Sequence, residues 1–354
     1  MAKINKMEET THFALVSQKS DNSYNSPVWD KITSGCNYVK WGADNKAPYL
    51  LWDYYLNCSL FQSIVNRIVD YTFGEGPSIL DDKIFLSDKN DTIEDVIKKC
   101  IIDYILFGGF TLECIRNQKG DIVRYNYLNV MNVRVDEELT TAYISNKWST
   151  YTTTGMKELP LFNKNEMQPH FVYYYRGDIT RGINPIPMYA SALKSIDILT
   201  ETRNFHQNNL KNNFSVSCII NLNNGSIKTR ELQEIQEKLT TGFTGTDNAG
   251  KFILINGGDK DHAATIERLN ADNFSDLYVA LDESSRNDVY TSFSINPMLL
   301  GENVSTGFSK EEFHNAYELF FSTVIKPIQQ SIIKEFARVG VDFMITPFKI
   351  NWEE

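Results

Sequence analysis

The sequence predicts an α+β fold, and three observations carry that expectation. Two amphipathic helical patterns meet across a Pro- and Gly-punctuated loop between Ser292 and Phe336. Residues 110–175 break into short runs of β period rather than helical period. A strand–helix–strand pattern at residues 216–256 stands between two long helical stretches.

Taken in order, residues 1–26 are polar and rich in Ser, Asn, Thr and Lys, which predicts a flexible arm, with order beginning near Pro27. Trp41-Gly42-Ala43-Asp44-Asn45-Lys46-Ala47-Pro48 reads as a loop leading into a helix, and Trp41 reads equally well as a plain core anchor. Ser59 with Gln62 forms a capping box before Leu60, Phe61, Ile64, Val65 and Ile68, so Leu60 to Thr72 is expected to be a helix with one buried face. It should stop at Gly74-Glu75-Gly76-Pro77. Asp91 with Glu94 repeats the capping logic ahead of a second helix, which ends at Gly108-Gly109.

After Gly109 the period changes. Phe110 to Arg116 and Ile122 to Leu128 flank Asn117-Gln118-Lys119-Gly120-Asp121, a hairpin signal, and further β-like runs follow at Val133 to Asp136, Ala142 to Tyr151 and Phe171 to Tyr175. Pro185 and Pro187 then set the start of a long helix, Met188 to Asn212. Val216 to Leu222 reads as a strand, Thr229 to Thr240 as a short charged helix and Lys251 to Asn256 as another strand. A second long helix ends at Phe293-Ser294, and Ser309 with Glu312 caps a third, whose stripe runs through Phe313, Tyr317, Phe320, Val324, Ile328 and Ile332. Pro327 inside that helix removes one backbone hydrogen bond and predicts a kink.

Composition narrows the function. The 354 residues, 42% hydrophobic and 23% charged, are those of a globular chain long enough for a substantial core. A net charge of −10 argues against a protein that grips nucleic acid, because tight binding needs Lys and Arg to neutralise phosphates and release counterions. Five cysteines without Cys-x-x-Cys spacing read as reduced thiols. The apolar run Phe13 to Val16 is too short for a signal peptide or a membrane span.

Several of these stretches together resemble the portal proteins of tailed bacteriophages, in particular the short HK97-like group. They are the Trp41 to Pro48 segment, the Gly108-Gly109 turn and the Pro185-Ile186-Pro187-Met188-Tyr189-Ala190-Ser191-Ala192-Leu193-Lys194-Ser195-Ile196 stretch running to Asn204-Phe205-His206-Gln207-Asn208-Asn209-Leu210. The loop Asn296-Pro297-Met298-Leu299-Leu300-Gly301, followed by Gly307-Phe308-Ser309-Lys310-Glu311-Glu312, adds to them. The resemblance implies a portal fold with a mixed α/β wing at residues 27–186, stem helices at 187–213 and 271–293 and a small β-α-β clip at 214–270. It further implies a channel loop at 294–309, a long wing helix at 310–337 and a tail at 338–354, so that the crown of larger portals is minimal or absent.

By the same resemblance the chain forms a homo-oligomeric ring, twelve-fold in the family, at one capsid vertex of the virion, assembled in the bacterial host cytoplasm. A terminase motor drives double-stranded DNA through it, and the major capsid protein, scaffold protein and a head-tail adaptor are its other partners. Asn296, Asn303, Ser305 and Thr306 are the candidate channel-loop contacts to passing DNA; they carry no charge, which suits sliding. Glu231, Glu234, Glu237 and Lys238 on the clip helix are candidates for motor, adaptor or intersubunit contacts, or simply a solvated face.

Competing chemistry is weaker. Gly245-Thr246-Asp247-Asn248-Ala249-Gly250-Lys251 satisfies G-x-x-x-x-G-K, but Phe252 stands where a phosphate loop needs Ser or Thr, and a strand rather than a helix is expected next. The five histidines are scattered without a zinc or triad signature. No cofactor, metal or catalytic residue is expected; the alternatives are a nucleotide-binding enzyme built on Gly245 to Lys251 and a non-portal oligomeric scaffold of a mobile element.

Overall fold

The structure is a computed structural model that describes residues 12–15, 28–80, 87, 90–148, 155–211, 218–221, 252–256, 265–268, 274–302 and 310–348. Strands β1 (His12–Leu15), β2 (Asp30–Lys31) and β3 (Lys40–Trp41) precede helices α1 (Ala47–Asn57) and α2 (Ser59–Phe73). Next come β4 (Pro77–Ile79), α3 (Ile93–Phe107), β5 (Gly109–Arg116), β6 (Ile122–Leu128), β7 (Val133–Val135), β8 (Thr141–Ile144), β9 (Lys157–Pro160) and β10 (His170–Arg176). The remainder is α4 (Leu193–Lys211), β11 (Cys218–Asn221), β12 (Phe252–Asn256), β13 (Thr265–Arg268), α5 (Phe274–Ser292), α6 (Lys310–Phe320), a π-helical turn (Phe321–Ile325), α7 (Lys326–Arg338) and β14 (Phe343–Ile345). These elements form two compact units, one of Tyr24–Asp197 with Ser284–Glu354 and one of Met1–Ser23 with Ile198–Glu283.

In the first unit two antiparallel three-stranded sheets, ordered β10-β5-β6 and β7-β8-β9, stand beside the helices. Helix α3 turns straight into β5 because Gly108 takes the left-handed cap, φ 84°. The core fills the space between sheet and helices: Phe110 stacks on Phe336 of α7 at 5.6 Å, and Phe336 meets Phe343 of β14 edge-on at 5.7 Å. Strand β14 pairs antiparallel with β4, so the tail adds a strand beside α2.

The second unit holds a four-stranded sheet ordered β1-β12-β11-β13. Here the structure departs from expectation at two places. His12–Leu15 lies within the supposed flexible arm yet pairs antiparallel with β12, and β13 adds a third strand to the expected strand–helix–strand insert. β11 and β12 run parallel, a pairing that requires a crossover connection rather than a hairpin. The helix expected at 229–240 lies outside the described residues. In the same unit Phe205 of α4 stacks on Tyr278 of α5 with ring centroids 5.4 Å apart.

The helix starts also differ in detail. Cys58, not Ser59, is the N-cap of α2 and makes no side-chain cap bond. The box before α3 sits one residue later than expected, with Thr92 accepting from Asp95 N–H and the Asp95 carboxylate accepting from Thr92 N–H. A single 3₁₀ turn at Ala190–Ala192 delays α4 to Leu193, since Ala190 N–H is taken by the Pro187 carbonyl. Ser309 lies outside the described residues. The break expected at Pro327 takes the form of the π turn: Lys326 N–H bonds Phe321 O, five residues back, which opens the helix just ahead of the proline ring.

The feature with the least sequence signal is a buried arginine. Arg134 of β7 is wholly buried, and its guanidinium donates to Asn45 Oδ1 (2.6 Å), Asn45 O (3.0 Å), Met131 O (3.0 Å) and Val133 O (2.7 Å). It lies over Trp148 at 4.9 Å and Trp41 at 5.5 Å. Burial pulls its pKa down to about 10, so it stays charged at neutral pH. Asn45 also accepts from Trp41 N–H at 3.1 Å and holds φ 67°, which brings the Trp41 to Pro48 loop onto the guanidinium.

Asp103 of α3 is buried as well, taking the Tyr127 hydroxyl at 3.0 Å on each oxygen and Val130 N–H at 3.2 Å. Burial raises its pKa to about 7 against the pull of those donors.

Two outcomes are expected. Asn45→Ala strands a buried cationic donor and puts a Cβ-bearing, non-capping residue at positive φ, a loss of about 3–5 kcal/mol; Asn45→Gly, which keeps the backbone, loses less. Urea unfolding of the three proteins ranks them. For Asp103, an unfolded aspartate releases its proton near pH 4 while the folded one keeps it to about 7. The fold therefore binds the extra proton between those values, and this group's contribution is full below about pH 4 and declines as pH rises to 7. Asp103→Asn should flatten that fall in a urea-midpoint series from pH 4.5 to 7.5.

Candidate functional site

The site is built where the first long helix begins and the second ends. Gly108-Gly109 leaves room for the backbone that leads into α4: a Cβ on Gly108 would stand 2.3 Å from Ile186 O, and one on Gly109 would stand 2.3 Å from Tyr175 O and 2.8 Å from Pro185 Cγ. Two glycines are the condition for that crossing. Tyr189, fully buried, then anchors the lead-in by donating its hydroxyl to Leu106 O.

Tyr189 also joins the two helix ends. Its ring meets Phe61 of α2 edge-on at 4.7 Å and stacks on Phe293, just past α5, at 5.1 Å; Phe61 and Phe293 are 6.0 Å apart. All three rings are buried. Ser195 of α4 donates to Asp288 of α5 at 2.8 Å, and Tyr54 of α1 donates to Asp197 of α4 at 3.0 Å. Start of one helix, end of the other and the α1–α2 pair are thus fixed to one another.

From this base the chain turns into the loop. Ser294 takes the left-handed conformation, φ 52°, and Ile295 N–H reaches back to Tyr290 O at 3.1 Å, closing α5 as glycine-capped helices close. Asn296 caps the 3₁₀ turn Pro297–Leu300 by accepting Met298 N–H at 3.0 Å, and Gly301 ends it at φ 80°. Glu302 folds back onto α5, where its carboxylate takes the Tyr290 hydroxyl and Arg286 Nη2, the latter at 3.2 and 3.3 Å. Burial, and after it the hydrogen bond to the charged Glu302, push the Tyr290 phenol well up from its ordinary value.

Of the sequence-named residues, Asn296 is exposed and serves as the cap of that turn. Asn303, Ser305 and Thr306 lie outside the described residues, as do Glu231, Glu234, Glu237 and Lys238. The Glu302–Arg286–Tyr290 contact had no sequence signal, since Arg286 and Glu302 are sixteen residues apart across a loop. The Gly245 to Lys251 segment is likewise outside the described residues, but strand β12 follows it at once, and a phosphate loop must open a helix. Among the described residues no cluster of His, Cys, Asp or Glu is set to hold a metal, and no helix is long and apolar enough to cross a membrane.

The family model for phage portal proteins matches residues 86–349 and so takes in α3 to β14, including both long helices and the loop between α5 and α6. The chain belongs to the phage portal protein family. The portal fold is shared by solved structures at low identity. The neck of a native GTA particle, computed with C12 symmetry, is 13% identical with a TM-score of 0.50, over 81% of this chain and 79% of that one. An HK97 family phage portal protein from Corynebacterium diphtheriae is 11% identical with a TM-score of 0.50, over 83% of this chain and 95% of that one. An uncharacterized protein of Rickettsia bellii (strain RML369-C) is 22% identical over 217 residues, 61% of this chain; the match spans about half, 54%, of that protein's length.

For this portal family member, Gly109→Ala tests the crossing at the helix base. The added methyl meets backbone on one side and a proline ring on the other, neither of which can swing aside. A loss of about 3 kcal/mol or more is expected, in the range of overpacked cores. Gly120→Ala is the comparison: at φ 92° the alanine carries left-handed strain of about 1–2 kcal/mol, but the nearest atom to its Cβ is the end of the flexible Met167 side chain at 2.9 Å, and thermal unfolding should show it as the milder of the two.

Proposed function

We propose that the chain is the subunit of a ring-shaped portal, the DNA channel at one vertex of a capsid. The observation that carries this reading is the family match running unbroken through the two long helices and the loop that joins α5 to α6. A homo-oligomeric ring agrees with the C12 symmetry of the GTA neck, which shares this fold. On this reading residues 187–213 and 271–293 are the stem, 214–270 the clip and 294–309 the channel loop, with a wing at 27–186.

The mechanism needs no covalent chemistry, in keeping with a structural rather than catalytic family. DNA moves through a ring only if it is confined without being held. Each Lys or Arg set on a phosphate adds affinity and salt dependence, so a tunnel for sliding carries few of them. The chain fits that requirement: its net charge is −10, and α5 bears four acidic residues to one basic, with that base, Arg286, tied to Glu302. The uncharged Asn296, Asn303, Ser305 and Thr306 supply weak contacts that do not depend on sequence. A terminase motor, a head-tail adaptor, the major capsid protein and scaffold protein are the partners such a ring meets, in a particle assembled in the host cytoplasm. The clip residues Glu231, Glu234, Glu237 and Lys238 are the proposed motor or adaptor contacts.

Two measurements test this. Negative-stain images of the purified protein should show rings with a central hole; monomers or small oligomers without a hole remove the portal reading. Deleting Asn303 to Thr306, which spares the Glu302 contact, should leave rings intact and lower DNA packaging or retention at least tenfold. Normal packaging by that deletion would sink the channel-loop assignment while leaving the ring in place.

A further inference from the structure

A cavity of about 220 Å³ opens where the turn after β10 meets α3 and α7. Ile186, Met188, Pro327 and Ile328 give it apolar walls. Gly108 and Gly177 add bare backbone: Gly177 N–H bonds Gly108 O at 2.7 Å, so close that a Cβ on Gly177 would stand 2.9 Å from that oxygen. Asp178 and Ile179 also line it, and both are exposed, the isoleucine by 53%. Small-molecule sites run from about 300 Å³ upward. A smaller cavity, apolar inside and acidic at the mouth, suits one apolar side chain with a cation beside it.

The chain itself presents such a pair. Lys31, the last residue of β2, and Ile32 after it are both exposed, Ile32 by 59%. They are held firmly in place. Asp30 pairs with Trp41 of β3, and its carboxylate accepts Ile183 N–H at 2.9 Å and both Asn184 N–H and Asn184 Nδ2 at 2.8 Å. The segment 177–186 therefore carries the mouth of the cavity at one end and the anchor of the Lys31–Ile32 knob at the other. Two other exposed apolar side chains, Leu319 and Met167, follow Glu318 and Glu166, which would meet Asp178 as like charges.

We propose that Lys31–Ile32 of one copy of the chain docks on this cavity of the next copy, with Ile32 filling it and Lys31 facing Asp178. The proposal rests on the ring reading above, and a ring sets a specific demand. Each subunit of a rotational ring meets one neighbour in front and another behind, so two different surfaces of the chain must fit each other, whereas a self-complementary patch closes a dimer. A knob and a cavity on one chain meet that demand, and neither Lys31 nor Ile32 lines the cavity of its own chain. Burial of Ile32 supplies the attraction, and the Lys31–Asp178 pair at the mouth fixes the orientation.

Cysteine trapping and charge exchange decide it. Oxidised rings of the Ile32→Cys/Ile179→Cys chain should run on a non-reducing gel as a ladder of subunit multiples, and rings of either single variant should not. Lys31→Asp and Asp178→Lys should each raise the concentration needed for assembly at least tenfold, and the two together should recover most of that loss. Such recovery is a result that a merely structural role of either side chain does not give. Rings that form normally but yield no ladder overturn the proposal, as do charge reversals that leave assembly unchanged or a double reversal no better than its parts; all three leave the portal reading in place. A parent protein that forms no rings removes the portal reading itself, and this contact with it.

Discussion

The Arg134 guanidinium is the contact on which the rest of the larger unit rests. A buried charge is costly unless its donors are satisfied, and here the partners are three backbone carbonyls and the Asn45 carboxamide, with two indole faces in place of a carboxylate. Because those acceptors come from both the Trp41 to Pro48 loop and the start of β7, the arginine fixes where α1 begins relative to the sheet. Helix α1 carries Tyr54, which bonds Asp197 of α4, and adjoins α2, which carries Phe61. The position of the long helices thus traces back, through two helices, to one side chain.

At the base of those helices, rigidity has a steric origin more than an electrostatic one. Gly108 and Gly109 admit a backbone crossing that any Cβ would close, and three interlocked rings, Phe61, Tyr189 and Phe293, fill the space above it. Aromatic packing of this kind contributes through buried area and geometry, both insensitive to salt. On the proposed portal reading that matters, since a base held by exposed ion pairs would loosen as ionic conditions changed.

The sequence made the periodic parts of this fold legible and left the solitary parts hidden. Helices α2, α3 and α7 were plain from their apolar stripes, and Gly108-Gly109 from its capping logic. The capping box before α3 slipped by a residue because Asp91 and Thr92 are chemically interchangeable as caps and only backbone geometry selects between them, whereas before α2 the cap is Cys58 and no box forms. His12–Leu15 was unreadable as a strand since its partner, β12, is some 240 residues away and four residues carry too little period. Arg134, Asp103 and Glu302 left no trace for a related reason: a buried polar group is recognised by its partners, and theirs lie at distant positions in the chain. At the site itself the loop was found by its punctuation, whereas the contact that tethers it was not.

The long helix shows how a proline and the hydrogen-bond pattern around it fit together. Proline at position 327 should clash with the carbonyl of Thr323, four residues back, and leave it without a donor. Instead the helix adds one residue to a turn, Lys326 N–H moves to Phe321 O, and Ser322 and Thr323 turn their hydroxyls to Leu319 O at 3.1 and 2.6 Å. Those hydroxyls supply donors within the segment whose backbone pairing the π turn rearranges. The apolar stripe survives the insertion: Tyr317 and Phe320 before it, and Ile328 and Ile332 after it, remain buried. An extra residue in a regular helix would rotate everything beyond it by about 100°, so the sequence on either side is already written in the register that the widened turn requires.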